Sequence, residues 1–118
     1  MLEFYITNAE NKFIKLDNMM KGCWVNMVNP TDDEIQQVAD RFNIAVDYFK
    51  DALDDDERSR IENEENFLCI IVDFPYITHD EAGFPIYETI PIGILIAEDA
   101  FITVSLKETP ILEDFKNN

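Results

Sequence analysis

The run Phe67-Leu68-Cys69-Ile70-Ile71-Val72 constrains the fold more than any other feature of this chain. Six consecutive apolar residues, half of them β-branched, are too few for a buried helix and read as a strand. Successive strand side chains point to opposite faces, so a strand apolar at every position needs cover on both. Phe67–Phe74 is therefore expected in the middle of a sheet. A chain of 118 residues has room for one such core, which makes residues 1–118 a single domain.

The remaining elements are placed around that strand by period and punctuation. Leu2–Thr7 and Lys12–Leu16 read as short strands across the turn-like Asn8-Ala9-Glu10-Asn11. Cys23–Val28 is a third strand, stopped by Asn29-Pro30 because proline cannot extend a ladder. Thr31-Asp32-Asp33-Glu34 is a capping box, and its acidic residues suit the positive end of a helix dipole. Ile35, Val38, Ala39 and Phe42 then recur at i, i+3, i+4 and i+7, one apolar face, with Asn43 as a left-handed stop. A second short helix carries Val46, Phe49 and Leu53 inward. Arg58–Glu64 pairs with Phe67–Phe74 across Glu65-Asn66, and Ile86–Ala97 pairs with Ala100–Leu106 across Glu98-Asp99. Within the latter pair Pro91 and Gly93 predict a bulge or an edge position. A polar loop holds His79-Asp80-Glu81-Ala82-Gly83, and Pro110–Phe115 begins a helix that is cut off after its first turns. The expected fold is α/β of the α+β kind: a mixed, largely antiparallel sheet, two short helices on one face and a truncated C-terminal helix.

Charge bounds the partners. The net charge of −16 opposes binding to a phosphate backbone, so no nucleic acid is expected, and it opposes docking on an anionic lipid surface. A cation or a basic protein surface fits the sign. Nine of the 25 acidic residues fall between Asp47 and Glu65, opposed only by Lys50, Arg58 and Arg60. The contiguous run Asp54-Asp55-Asp56-Glu57 points successive side chains in different directions and cannot form a rigid cage alone. An EF-hand would need a mid-loop glycine that Asp54–Glu65 lacks. From composition, this segment reads first as a solvated acidic turn.

Catalytic chemistry finds few candidates, and the chain is read as non-enzymatic. His79 is the single histidine and reads as an exposed loop residue. Ser59 and Ser105 lie outside any nucleophile-elbow context, and with three glycines there is no phosphate-cradling loop. Cys23 and Cys69 sit in apolar runs as small hydrophobes, and Trp24 reads as a core or subunit-contact anchor. The start of the chain has neither the basic nor the apolar region of a leader, and no apolar stretch approaches the roughly 18 residues of a membrane span. A polypeptide soluble in a reducing compartment is expected.

Several residue groups, taken in order, resemble the amino-terminal cytoplasmic domain of CorA-type magnesium and cobalt transporters. They are Trp24-Val25-Asn26-Met27-Val28-Asn29-Pro30-Thr31 with Glu34 and Phe42-Asn43-Ile44, then Asp51-Ala52-Leu53-Asp54. Glu57-Arg58-Ser59-Arg60-Ile61-Glu62 and Glu65-Asn66-Phe67 follow, with Ile90–Ile96 and Phe101-Ile102-Thr103-Val104 as closing strands. The resemblance implies a pentamer at the cytoplasmic face of the cell membrane, in which neighbouring subunits of the same protein are the partners. It implies membrane contact only through helices that follow this domain. It also implies a regulatory site for Mg²⁺ or Co²⁺ between subunits, holding the channel closed, with binding weak in this domain alone. Asp51 occupies the position of one regulatory ligand; the partner carboxylate would come from an adjacent subunit's stalk helix. Lys50 departs from the acidic residue frequent there in the family. Asp54 and Asp55 rank behind Asp51, as charges that attract cations without fixing them. The alternative reading is a free-standing acidic module that binds a basic protein surface.

Overall fold

The computed structural model describes residues 1–54, 56 and 58–116. Its elements are β1 (Leu2–Thr7), β2 (Phe13–Leu16), β3 (Cys23–Val28), α1 (Asp32–Phe42), α2 (Val46–Ala52), β4 (Arg60–Asn63), β5 (Phe67–His79), β6 (Pro85–Ala97), β7 (Ala100–Ser105) and α3 (Pro110–Lys116). The strands form one sheet in the order β2-β1-β3-β7-β6-β5-β4. All neighbours are antiparallel except β3 and β7, which run parallel from Cys23↔Ala100 to Val28↔Ser105. The fold is the expected α+β arrangement on a mixed, largely antiparallel sheet.

Helix α1 starts where the capping box places it. Thr31 Oγ1 accepts from the Glu34 N–H at 3.1 Å, and Glu34 Oε1 accepts from the Thr31 N–H at 2.9 Å. The helix ends at Asn43, whose φ of 56° and ψ of 50° are left-handed. Helix α2 has no side-chain cap, so packing must hold it; Phe49 and Ala52 are fully buried. Both helices cover one face of the sheet. There Val38, Phe49, Val25, Met27, Ile71, Leu95, Ile102 and Val104 form a core, each large apolar side chain contributing about 1.5–3 kcal/mol by leaving water.

The opposite face carries α3, whose Leu112 packs against Tyr5, Trp24 and Ile92. This cover is partial. Cys69 and Ile71 are buried under the helices, whereas Leu68, Ile70 and Val72 on the other side of β5 are only half-buried. The apolar strand thus sits in the sheet interior as expected, with one face fully covered and the other incompletely so.

Two expectations are corrected. Strands β5 and β6 are longer than read and pair with each other at every position from Phe67↔Ala97 to His79↔Pro85. His79 accordingly ends a strand, and the turn is residues 80–84, closed by Asp80 Oδ1 accepting from the Ala82 and Phe84 N–H groups at 2.9 Å. Secondly, Pro91 and Gly93 mark no bulge: the register with β5 passes through Asp73↔Pro91 and Ile71↔Gly93 without an extra residue, and only Pro91 is at the expected edge, since Gly93 also pairs with Val104 of β7. Pro91 is tolerated because the β6–β7 pairing stops at Ile92↔Ser105, leaving β6 paired on one side only at the proline. Gly93 is needed for a different reason. A side chain there would collide with Ala52 Cβ, so its absence lets α2 lie directly on β6.

Candidate functional site

The packing of Ala52 on Gly93 fixes the neighbouring Asp51 at the rim of the sheet. Asp51 is in the last turn of α2, with its side chain 43% exposed. Its Oδ2 accepts from Arg60 Nη2 at 2.8 Å, and Arg60 Nε donates to Glu62 Oε1 at 2.7 Å. Arg60 and Glu62 share a face of β4 because they are two residues apart on a strand. The guanidinium is the least exposed member of the three, at 24% against 43% and 35% for the carboxylates. Burial alone would make it less basic, yet the hydrogen bonds it donates to Glu62 and Asp51 raise it above the ordinary arginine value. Nearby, Tyr48 donates to Glu64 Oε1 at 2.6 Å and stands edge-on to Phe67, which ties α2 to the β4–β5 hairpin. That hydrogen bond pushes the Tyr48 hydroxyl up to about 12.

The remaining acidic candidates do not converge on Asp51. Asp54 Oδ1 accepts from the Asp56 N–H at 2.9 Å, so its carboxylate serves the local turn. Asp55 and Glu57 lie outside the described residues. Among the described residues no group of three or more His, Cys, Asp or Glu side chains could hold a metal ion. Mg²⁺ keeps several waters and takes one or two carboxylates, so a single exposed carboxylate such as that of Asp51 does not by itself make a site. The residues that sequence reasoning missed are Arg60 and Glu62 as its partners. The period-two spacing of that pair was visible; its closure on Asp51 depends on where α2 lies.

Other chemistry-bearing side chains are committed to structure. Trp24 is buried, and its Nε1–H donates to Thr103 Oγ1 at 2.9 Å, while the Thr103 hydroxyl donates to Asn26 Oδ1 at 2.9 Å. Asn26 in turn donates to Glu3 Oε1, which also meets Lys116 Nζ at 2.8 Å. Burial would raise the Glu3 carboxyl, but hydrogen bonds from Lys116, Tyr5 and Asn26 bring it down to about 2. Cys23 and Cys69 are buried free thiols, and burial pushes Cys69 up to about 11, far from a reactive thiolate at neutral pH. His79 is exposed. Between α3 and the sheet lies an apolar cavity of about 310 Å³, lined by residues that include Phe13, Phe74, Ile94 and Phe101. Among the described residues that line it, the only hydroxyl is that of Thr103, already engaged by Trp24 and Asn26.

Comparison with known proteins places this geometry in context. The family model described as CorA-like Mg²⁺ transporter protein matches residues 20–118. The cobalt/magnesium transport protein CorA of Methanocaldococcus jannaschii is 27% identical over 81 residues, 69% of this chain and 24% of that protein. The structure of the soluble domain of CorA from the same organism superposes with a TM-score of 0.78 at 20% identity, covering 99% of this chain and 45% of that one. The complete structure of that CorA magnesium transporter gives 0.74 at 20% identity, covering 99% and 36%. The full-length CmaX protein gives 0.64 at 12% identity, covering 98% and 38%. The chain spans less than half the length of each of these relatives.

Proposed function

The chain belongs to the CorA-like Mg²⁺ transporter family, and from that membership we propose that it serves as the amino-terminal cytoplasmic domain of a transporter for Mg²⁺ and Co²⁺. The match of the family model over residues 20–118 carries this reading. No helix among the described residues is long and apolar enough to cross a membrane. In the proposed transporter the crossing is made by helices that follow this domain, and the domain packs beside identical neighbours in a pentamer.

Its role there is regulation by divalent cations. Subunits that each carry a charge of −16 on this domain repel when placed side by side, and a divalent ion between them offsets that repulsion. Asp51 supplies one carboxylate to such an ion, with a second coming from the adjacent subunit. Asp54 and Asp55 contribute to the field that draws cations to the surface. Loss of the ion restores the repulsion and favours the open state, a shift limited by the difference in ion affinity between the two states.

Flux of Mg²⁺ through the full-length protein in proteoliposomes tests the transporter assignment. Limited proteolysis of that protein tests the regulatory one. Mg²⁺ is expected to protect the wild type and to lose most of that effect in Asp51→Asn. Equal protection of both proteins would show that Asp51 is not a regulatory ligand.

A further inference from the structure

Arg60 holds the same carboxylate that the proposed function assigns to a divalent cation. The arrangement has an electrostatic cause. A carboxylate in the last turn of a helix faces the negative end of the helix dipole, and a cation beside it offsets that repulsion. Asp51 is in that turn of α2, and Arg60 reaches it from β4 at 2.8 Å. The guanidinium spans Asp51 and Glu62 at once, through Nη2 and Nε.

Resting on the regulatory reading of Asp51, we propose that Arg60 is an internal competitor for the divalent cation: Asp51 exchanges the Arg60 guanidinium for the external ion. While Arg60 bridges α2 and β4, Asp51 is neutralised from within. When the ion binds, Arg60 retains Glu62 and the tie between α2 and β4 is released. The competition raises the cation concentration at which the site fills and couples filling to a change at the α2–β4 corner. Because Arg60 is more buried than either carboxylate, it remains close by and can return when the ion leaves.

The test is a Mg²⁺ titration of the 118-residue chain, followed by the NMR shift of the Asp51 amide, for the wild type, Arg60→Gln, Lys50→Gln and Asp51→Asn. Removing either cation changes the net charge equally, so Lys50→Gln measures the general field. Arg60→Gln is expected to tighten Mg²⁺ binding about twofold to fivefold beyond Lys50→Gln, the range of an exposed ion pair. Equal tightening in the two variants would overturn the competition and leave the divalent site standing, provided Asp51→Asn abolishes the saturable shift. Binding unchanged in Asp51→Asn would remove the site itself and the competition with it. Should Arg60→Gln fail to fold, Arg60→Lys keeps the charge and loses the fork. It is then expected to bind Mg²⁺ more tightly than the wild type at constant net charge, and no tightening refutes the exchange.

Discussion

Substituting Gly93→Ala is expected to lift α2 from the sheet. The added methyl group would overlap Ala52 Cβ, while Val104 Cβ stands at an ordinary 3.8 Å, so the strain falls on the α2 backbone. Overpacking of one methyl group in a close contact costs about 1–3 kcal/mol. Alanine also relieves the entropic penalty of a glycine inside a strand, worth about 0.5–1 kcal/mol. The net effect therefore runs from about neutral to about 2.5 kcal/mol of destabilisation, a fall in Tm of up to roughly 10–15 °C for a domain of this size. Ala52→Gly alone loses one buried methyl group, about 0.8 kcal/mol, and up to about 1 kcal/mol of helix propensity. The two changes together move one methyl group from helix to strand within the same space. The double variant should accordingly be more stable than the sum of the singles predicts, by about 1–3 kcal/mol of coupling. Thermal and urea denaturation of the four proteins, followed by circular dichroism, measures this cycle. A clearly stabilising Gly93→Ala, or strictly additive effects in the double variant, would refute the close approach of α2 to β6.

Two further predictions concern the opposite face. Thr103→Val should cost about 2–4 kcal/mol in urea denaturation and shift Trp24 fluorescence, because the buried indole N–H and Asn26 Oδ1 both lose their partner. Thr103→Ser should recover most of that loss, and equal behaviour of the two variants would count against the hydrogen-bonded chain. The Glu3 carboxyl is depressed to about 2, so its contribution is present above about pH 4.5 and is lost as the pH falls from there towards 2. Lys116→Met should cost about 1–2 kcal/mol at pH 7, after allowance for solvent screening, and markedly less at pH 3; an equal cost at both would exclude the Glu3–Lys116 pair as its source.

The legible parts of this fold were those set by local rules. The capping box at Thr31, the apolar stripe from Ile35 to Phe42 and the left-handed Asn43 were each readable within a few residues, and α1 forms where they place it. The hairpins of β4 with β5 and of β6 with β7 were readable for the same reason, since short turns join their strands. The reading failed where the cause lay across the sheet. Gly93 resembled a bulge because a missing side chain in a strand has several causes, and the one that operates here is Ala52, 41 residues earlier in the chain. His79 reads as a loop residue beside the polar Asp80-Glu81-Ala82-Gly83, and the full pairing with β6 is what extends the strand to it.

The candidate site divides in the same way. The acidic surface, the apolar strand that demands a sheet, and the resemblance that singles out Asp51 are all legible in the order of residues. What Asp51 meets is not, because it follows from packing. Seating α2 on Gly93 brings the carboxylate to the start of β4, where Arg60 already faces Glu62. Charge density is a property of composition, but the pairing of a given carboxylate requires two elements at a fixed separation, and packing sets that separation.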